Sequence, residues 1–162
     1  MSRFQLVWLR NDLRHYDNAA LSAAAQTGLP VVAVFIATPQ TWQQHDMAPI
    51  KQDLIRRRVV ALQQELAFIG IPLIAIEAQR YSDCAGILSK LAQLGAAGLY
   101  GQTEYELREQ QRDHSVTATM NAIGVPCFWY DSQCVMPPGS VRSKTGDVYK
   151  VFTPFKKTWL TL

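Results

Sequence analysis

The sequence predicts an α/β domain built on a doubly wound, five-stranded parallel sheet in the order 3-2-1-4-5. Three observations carry that expectation. Short apolar, β-branched runs alternate with helix-forming stretches of ~10–20 residues, the signature of β-α-β units. The runs lack polar alternation, as expected of strands covered on both faces. Gly28, Gly70, Gly95 and Gly124 each stand between a helical stretch and the strand that follows, where a left-handed stop is needed. In this strand order the topological switch falls between the first and fourth strands, so a ligand crevice is expected at their carboxyl ends.

The elements follow in order. Phe4-Gln5-Leu6-Val7-Trp8-Leu9 is the first strand, and it breaks into a charged loop with Arg10, Asp12, Arg14 and Asp17. Asn18 heads an alanine-rich helix over 18–27. The second strand is 30–37, and Thr38-Pro39 ends it. Residues 40–48, with Trp42, His45 and Met47, read as irregular. Pro49 then opens a helix over 49–69. Its Ile55, Val59, Leu62, Leu66 and Ile69 share one face, while Arg56, Arg57 and Arg58 read as a solvated basic one.

The third strand is 72–76. Ser82 is the candidate cap of a helix reaching residue 94, with Ile87, Leu88, Leu91 and Leu94 inward. The short fourth strand is 98–101. Thr103 offers a cap to a helix over 104–123 whose second half buries Val116, Met120 and Ile123. Its first half is almost entirely polar, and a half-helix with so little to bury faces water or a ligand. The fifth strand is 125–129, which completes a Rossmann-like arrangement. Residues 131–150 are rich in proline, glycine and serine, and an aromatic tail runs from Val151 to Leu160.

The bulk numbers exclude several classes. A length of 162 residues with 48% hydrophobic and 18% charged residues fits one compact domain and excludes disorder. The net charge of +3 is compatible with an anionic ligand or nucleic acid and establishes neither. Cys84, Cys127 and Cys134 form no C-x-x-C pair, and His15, His45 and His114 have no metal-ligand spacing, so free thiols and no metal are expected. No apolar run approaches the ~20 residues that cross a bilayer, and no secretory segment is read at the start. The expected setting is cytoplasmic, without a membrane.

Recognisable catalytic motifs are missing. The loop after the first strand is Arg10-Asn11-Asp12-Leu13, not a glycine-rich phosphate cradle, and there is no G-x-S-x-G elbow. Glu104, Glu106, Glu109 and Asp113 fall on one helix. Glu104 and Glu106 read as a solvated first turn favoured by the helix dipole. Trp8 and Trp42 read as core or interface aromatics. Arg10 and Asp12 either pair with each other at the strand end or contact another domain, with a structural role favoured for Asp12.

Three stretches carry a resemblance. VWLRNDLRHYDNAAL (7–21) resembles the opening of DNA photolyases and cryptochromes, and FIATPQTWQQHDM (35–47) looks like the next strand and loop of the bacterial cyclobutane-dimer enzymes. PPGSVRSKTGDVYKVFTPFKKTWL (137–160) is similar to that family's passage from its first domain to its second. The resemblance implies an antenna-chromophore domain over 1–131 and, over 132–162, the start of a linker toward a helical FAD domain. FAD, the tryptophans that feed it electrons and the pocket for UV-damaged DNA would all belong to that second domain, so no catalytic residue is expected in this segment.

The implied antenna is methenyltetrahydrofolate, with a deazaflavin or FMN as alternatives. His45 falls where the folate-using enzymes carry a histidine beside the antenna, and Glu109 where a glutamate accepts hydrogen bonds from the pterin ring. Arg108 stands where those enzymes have asparagine, and arginine donates only. Arg10 and Tyr105 are further candidates. The implied function is the antenna part of a deoxyribodipyrimidine photo-lyase. The alternatives are a cryptochrome-type photoreceptor and a stand-alone nucleotide-binding α/β domain.

Overall fold

The computed structural model describes residues 3–162. Five parallel strands form one sheet in the order β3-β2-β1-β4-β5: β1 is Phe4–Leu9, β2 Val31–Ala37, β3 Leu73–Glu77, β4 Ala96–Gln102 and β5 Cys127–Tyr130. The helices are α1 Ala19–Gln26, α2 Pro39–Gln44, α3 Pro49–Phe68, α4 Cys84–Ala92, α5 Leu107–Ala122 and α6 Phe152–Trp159. The first of them shows why its sequence folds there. Asn18 stays extended, and its Oδ1 accepts the backbone N–H of Leu21 at 3.1 Å, satisfying one of the helix's free donors.

Both sheet faces are covered, which explains the unbroken apolar strands. On one side Leu6, Trp8, Val34, Ile36 and Leu99 pack with Leu88 of α4 and with Val116 and Met120 of α5. On the other, Val7, Leu9, Val31, Ala33 and Phe35 pack with Ala20 and Leu21 of α1 and with Val59, Leu62 and Leu66 of α3. Each fully buried aliphatic side chain of this kind contributes about 1.5–3 kcal/mol. Successive residues of β1 serve opposite cores, so a one-residue slip of the central strand would disrupt both.

Several boundaries differ from the sequence expectation. Residues 40–48 are not irregular throughout, since Pro39 opens α2 and buries Trp42. Strand β4 runs three residues longer than 98–101, starting at the alanines after Gly95. Ser82 caps nothing. It lies in a 3-10 turn over Tyr81–Asp83, and the Asp83 carboxylate accepts the N–H groups of Gln79 and Arg80 instead. Helix α5 begins at Leu107, not at residue 104, which changes the environment of every carboxylate before it. Ile69 and Leu94, expected inward, follow the ends of their helices and are half-exposed. The aromatic tail forms α6, which buries none of its own residues.

Candidate functional site

The carboxyl end of β1 delivers Arg10 into a crevice between β1 and β4, as the doubly wound order requires. Helices α2 and α3 form one wall and the 3-10 turn with the start of α5 forms the other, enclosing about 430 Å³. Behind it lies a buried ionic cluster. Arg112 donates to Glu104 at 2.5 Å and to Asp113 at 2.9 Å, and Arg10 donates to Asp113 at 2.8 Å with its Nε 3.8 Å from Glu104. Arg10 also reaches the carbonyl of Gln102 at the end of β4.

Aromatic rings complete the cluster. The Arg112 guanidinium carbon lies 4.7 Å from the ring centroids of both Trp8 and Tyr81, and that of Arg10 lies 4.6 Å from Trp8 and 5.0 Å from Trp129. Gly101 makes room for this, because a Cβ there would stand 2.7 Å from the Trp129 ring. Burial works against the Arg112 charge, but Asp113 and Glu104 outweigh it and hold its pKa above the usual value. Burial pushes the nearby Cys84 thiol up to about 11, which keeps it an unreactive core residue.

Three sequence readings are corrected here. Glu104 is 2% exposed, not solvated, because the chain is still leaving β4 and α5 has not begun; it accepts from Asn11 at 2.6 Å and from Arg112. The Arg10 side chain does not pair with Asp12. The Asp12 carboxylate accepts the backbone N–H of Arg10 and the amide of Asn18, both at 2.9 Å, which braces the loop ahead of α1. Arg58 is likewise no free surface cation. It pairs twice with Glu65 at 2.6 Å and donates to the carbonyl of Leu13. Trp8 and Trp42 are core residues.

The remaining candidates divide. His45 and Glu109 line the crevice from opposite walls, and Arg108, exposed at the start of α5, contacts the His45 ring across its mouth. Tyr105 is not among the lining residues; its hydroxyl donates to Asp131 at 3.1 Å, and burial with that bond pushes the phenol up to about 12. Sequence reasoning did not single out Tyr81, which enters the crevice beside His45 and donates to Glu109 Oε1 at 2.9 Å. Nor did it find the role of Arg112, which falls in the polar first half of the helix expected over 104–123. Among the described residues no group of three or more His, Cys, Asp or Glu could hold a metal, and no helix is long and apolar enough to cross a membrane.

The described residues form an open doubly wound α/β sheet with a crevice at its switch point and, after β1, Arg10-Asn11-Asp12-Leu13 in place of a glycine-rich loop. Sequence comparison goes further: the DNA photolyase family model matches residues 5–162, and the chain belongs to that family. It is 48% identical over 159 residues to the deoxyribodipyrimidine photo-lyase of Vibrio cholerae and 38% identical over 157 residues to that of Escherichia coli K12. Those alignments cover 98% and 96% of this chain but 34% and 33% of the relatives, so the chain spans about a third of their length. The same fold is seen in the cryptochrome of Synechocystis sp. PCC6803, with a TM-score of 0.88 at 22% identity over 99% of this chain and 34% of that one.

Proposed function

We propose that this chain is the antenna-chromophore domain of a deoxyribodipyrimidine photo-lyase. The whole enzyme would repair UV-induced pyrimidine dimers in DNA by light-driven electron transfer from FAD, acting in the cytoplasm. Dimer and FAD would be held by a helical domain outside this segment, and the reacting bases would leave the duplex stack to be reached. Residues 1–131 form the antenna unit in this reading, and 132–162 begin the passage to that domain. The exposed apolar side chains of Val151, Phe152 and Leu160 support the second part, since such surface is normally covered. The identity to the two photo-lyases favours repair over photoreception.

The observation that carries the reading is the crevice at the β1–β4 switch with Glu109, His45 and Arg108 at its mouth. Its donor set fits methenyltetrahydrofolate. Glu109 Oε1 is engaged by Tyr81, whereas Oε2 takes no hydrogen bond from the described residues and can accept from an amino-pterin edge. Lys51, another lining residue, suits the carboxylate tail of such a ligand. Arg108 contributes charge, not the paired donor and acceptor of an amide. That is the one feature favouring an anionic flavin such as FMN or a deazaflavin as the alternative. When bound, the chromophore would absorb light and pass its excitation on. This chain's own residues bind it, orient it and shield it from water, and perform no bond chemistry.

An absorption spectrum of the full-length protein purified from its own host tests the proposal. A near-ultraviolet folate band is expected, and a longer-wavelength deazaflavin band would replace the folate assignment. Light-driven dimer repair by residues 1–162 alone would overturn the division of labour.

A further inference from the structure

Tyr81 is held on every side by crevice residues. Its backbone N–H donates to the buried hydroxyl of Thr41 at 3.2 Å, which ties the 3-10 turn to α2. Its ring lies 4.7 Å from the Arg112 guanidinium carbon and meets the His45 ring edge-on with centroids 6.2 Å apart. Its hydroxyl donates to Glu109 Oε1 at 2.9 Å. Burial first, with Glu109 and Glu104 adding to it against Arg112, raises the phenol's pKa well above its ordinary value, so the proton stays on tyrosine. Tyr81 is therefore the donor, and Glu109 Oε1 the acceptor, of a bond across the gap between the 3-10 turn and α5.

The geometry points to Tyr81 as the positioning residue of the ligand crevice: by occupying Oε1 it fixes the Glu109 carboxylate and presents Oε2 to a ligand edge bearing N–H donors. This rests on the antenna reading above. A glutamate on the first turn of a helix has three rotatable bonds, and an unanchored carboxylate there would lose side-chain entropy on binding. A charge-assisted bond to a ring already packed on Arg112 removes much of that loss before the ligand arrives. The class of ligand follows from the acceptor: an amino-substituted heterocycle, not a second carboxylate.

The test uses the full chain with 5,10-methenyltetrahydrofolate as probe. Tyr81→Phe keeps the ring on Arg112 and removes only the hydroxyl; it should weaken binding about tenfold with an unchanged melting temperature. Glu109→Gln should weaken it as well, and adding Tyr81→Phe to Glu109→Gln should then change affinity less than about twofold, because the bond acts through the carboxylate. Native affinity in Tyr81→Phe, or full additivity of the two losses, overturns the proposal. Crystals of the ligand-free native and Tyr81→Phe chains supply a readout free of the probe. Glu109 should hold one conformer in the first and spread over several in the second, and a single shared conformer in both overturns the proposal. If the native chain fails to bind the folate, the chromophore assignment falls and the crystal comparison alone decides on Tyr81.

Discussion

The crevice has two polar regions a few ångströms apart, and they differ in kind. The rear cluster of Arg10, Glu104, Arg112 and Asp113 is almost wholly buried, and each charge has a partner of opposite sign. The mouth, with His45 and Arg108, is exposed; Glu109 is partly buried, and its Oε2 takes no hydrogen bond from the described residues. The difference teaches where recognition can reside. Charges already paired with one another in a buried cluster have little left to offer a ligand and would be costly to rearrange. Exposed or partly exposed groups at an open mouth can bind at small cost to the fold. The rear cluster is scaffold, and the mouth is the reading surface.

Breaking the rear cluster should have the largest effect. Arg112→Ala takes the nearer cation from Glu104 and one of two from Asp113, leaving Arg10 alone to offset two buried carboxylates, and should cost about 3–5 kcal/mol in urea unfolding. A cost below about 1 kcal/mol would mean the cluster is hydrated and the distinction false. Gly101→Ala probes the same region sterically, pressing a methyl against Trp129, and should cost about 1–3 kcal/mol. The third effect is smaller and lies outside both regions. Arg58 and His15 hold Glu65, lowering its carboxyl to about 2 from an ordinary 4.5, with Arg58 the larger cause. A depressed carboxylate stabilises the fold above its unfolded pKa, and that share is lost as pH falls from about 4.5 through 2. Because the Glu65 side chain is 35% exposed, solvent screens the pair and the effect is modest. Unfolding curves of the native chain and Arg58→Ala should draw together over that window, and a constant gap would show that the bond to Leu13 alone matters.

How much of this could be read in the sequence follows from range. The strands, their order and α3 were legible because apolar runs and glycine stops are local signals that tertiary packing reinforced. The switch-point crevice followed from the order alone. The fate of Glu104 was not legible. Whether a carboxylate at that position is solvated depends on where α5 starts, and no capping side chain marks Leu107. Arg112 and Tyr81 were missed for a related reason. Arg112 finds Trp8 from more than a hundred positions away, and Tyr81 finds Glu109 across 28. Neither pairing leaves a periodic trace. His45 and Glu109 were named through resemblance, not through any spacing of their own.

The central claim is that mouth residues read the ligand while the rear cluster carries the fold. It is tested most directly by measuring 5,10-methenyltetrahydrofolate binding and unfolding free energy together on His45→Ala and Glu109→Ala. The account predicts that each loses about tenfold or more in affinity while stability stays within about 0.5 kcal/mol of native. Undiminished binding in Glu109→Ala, with the native chain binding normally, would contradict it.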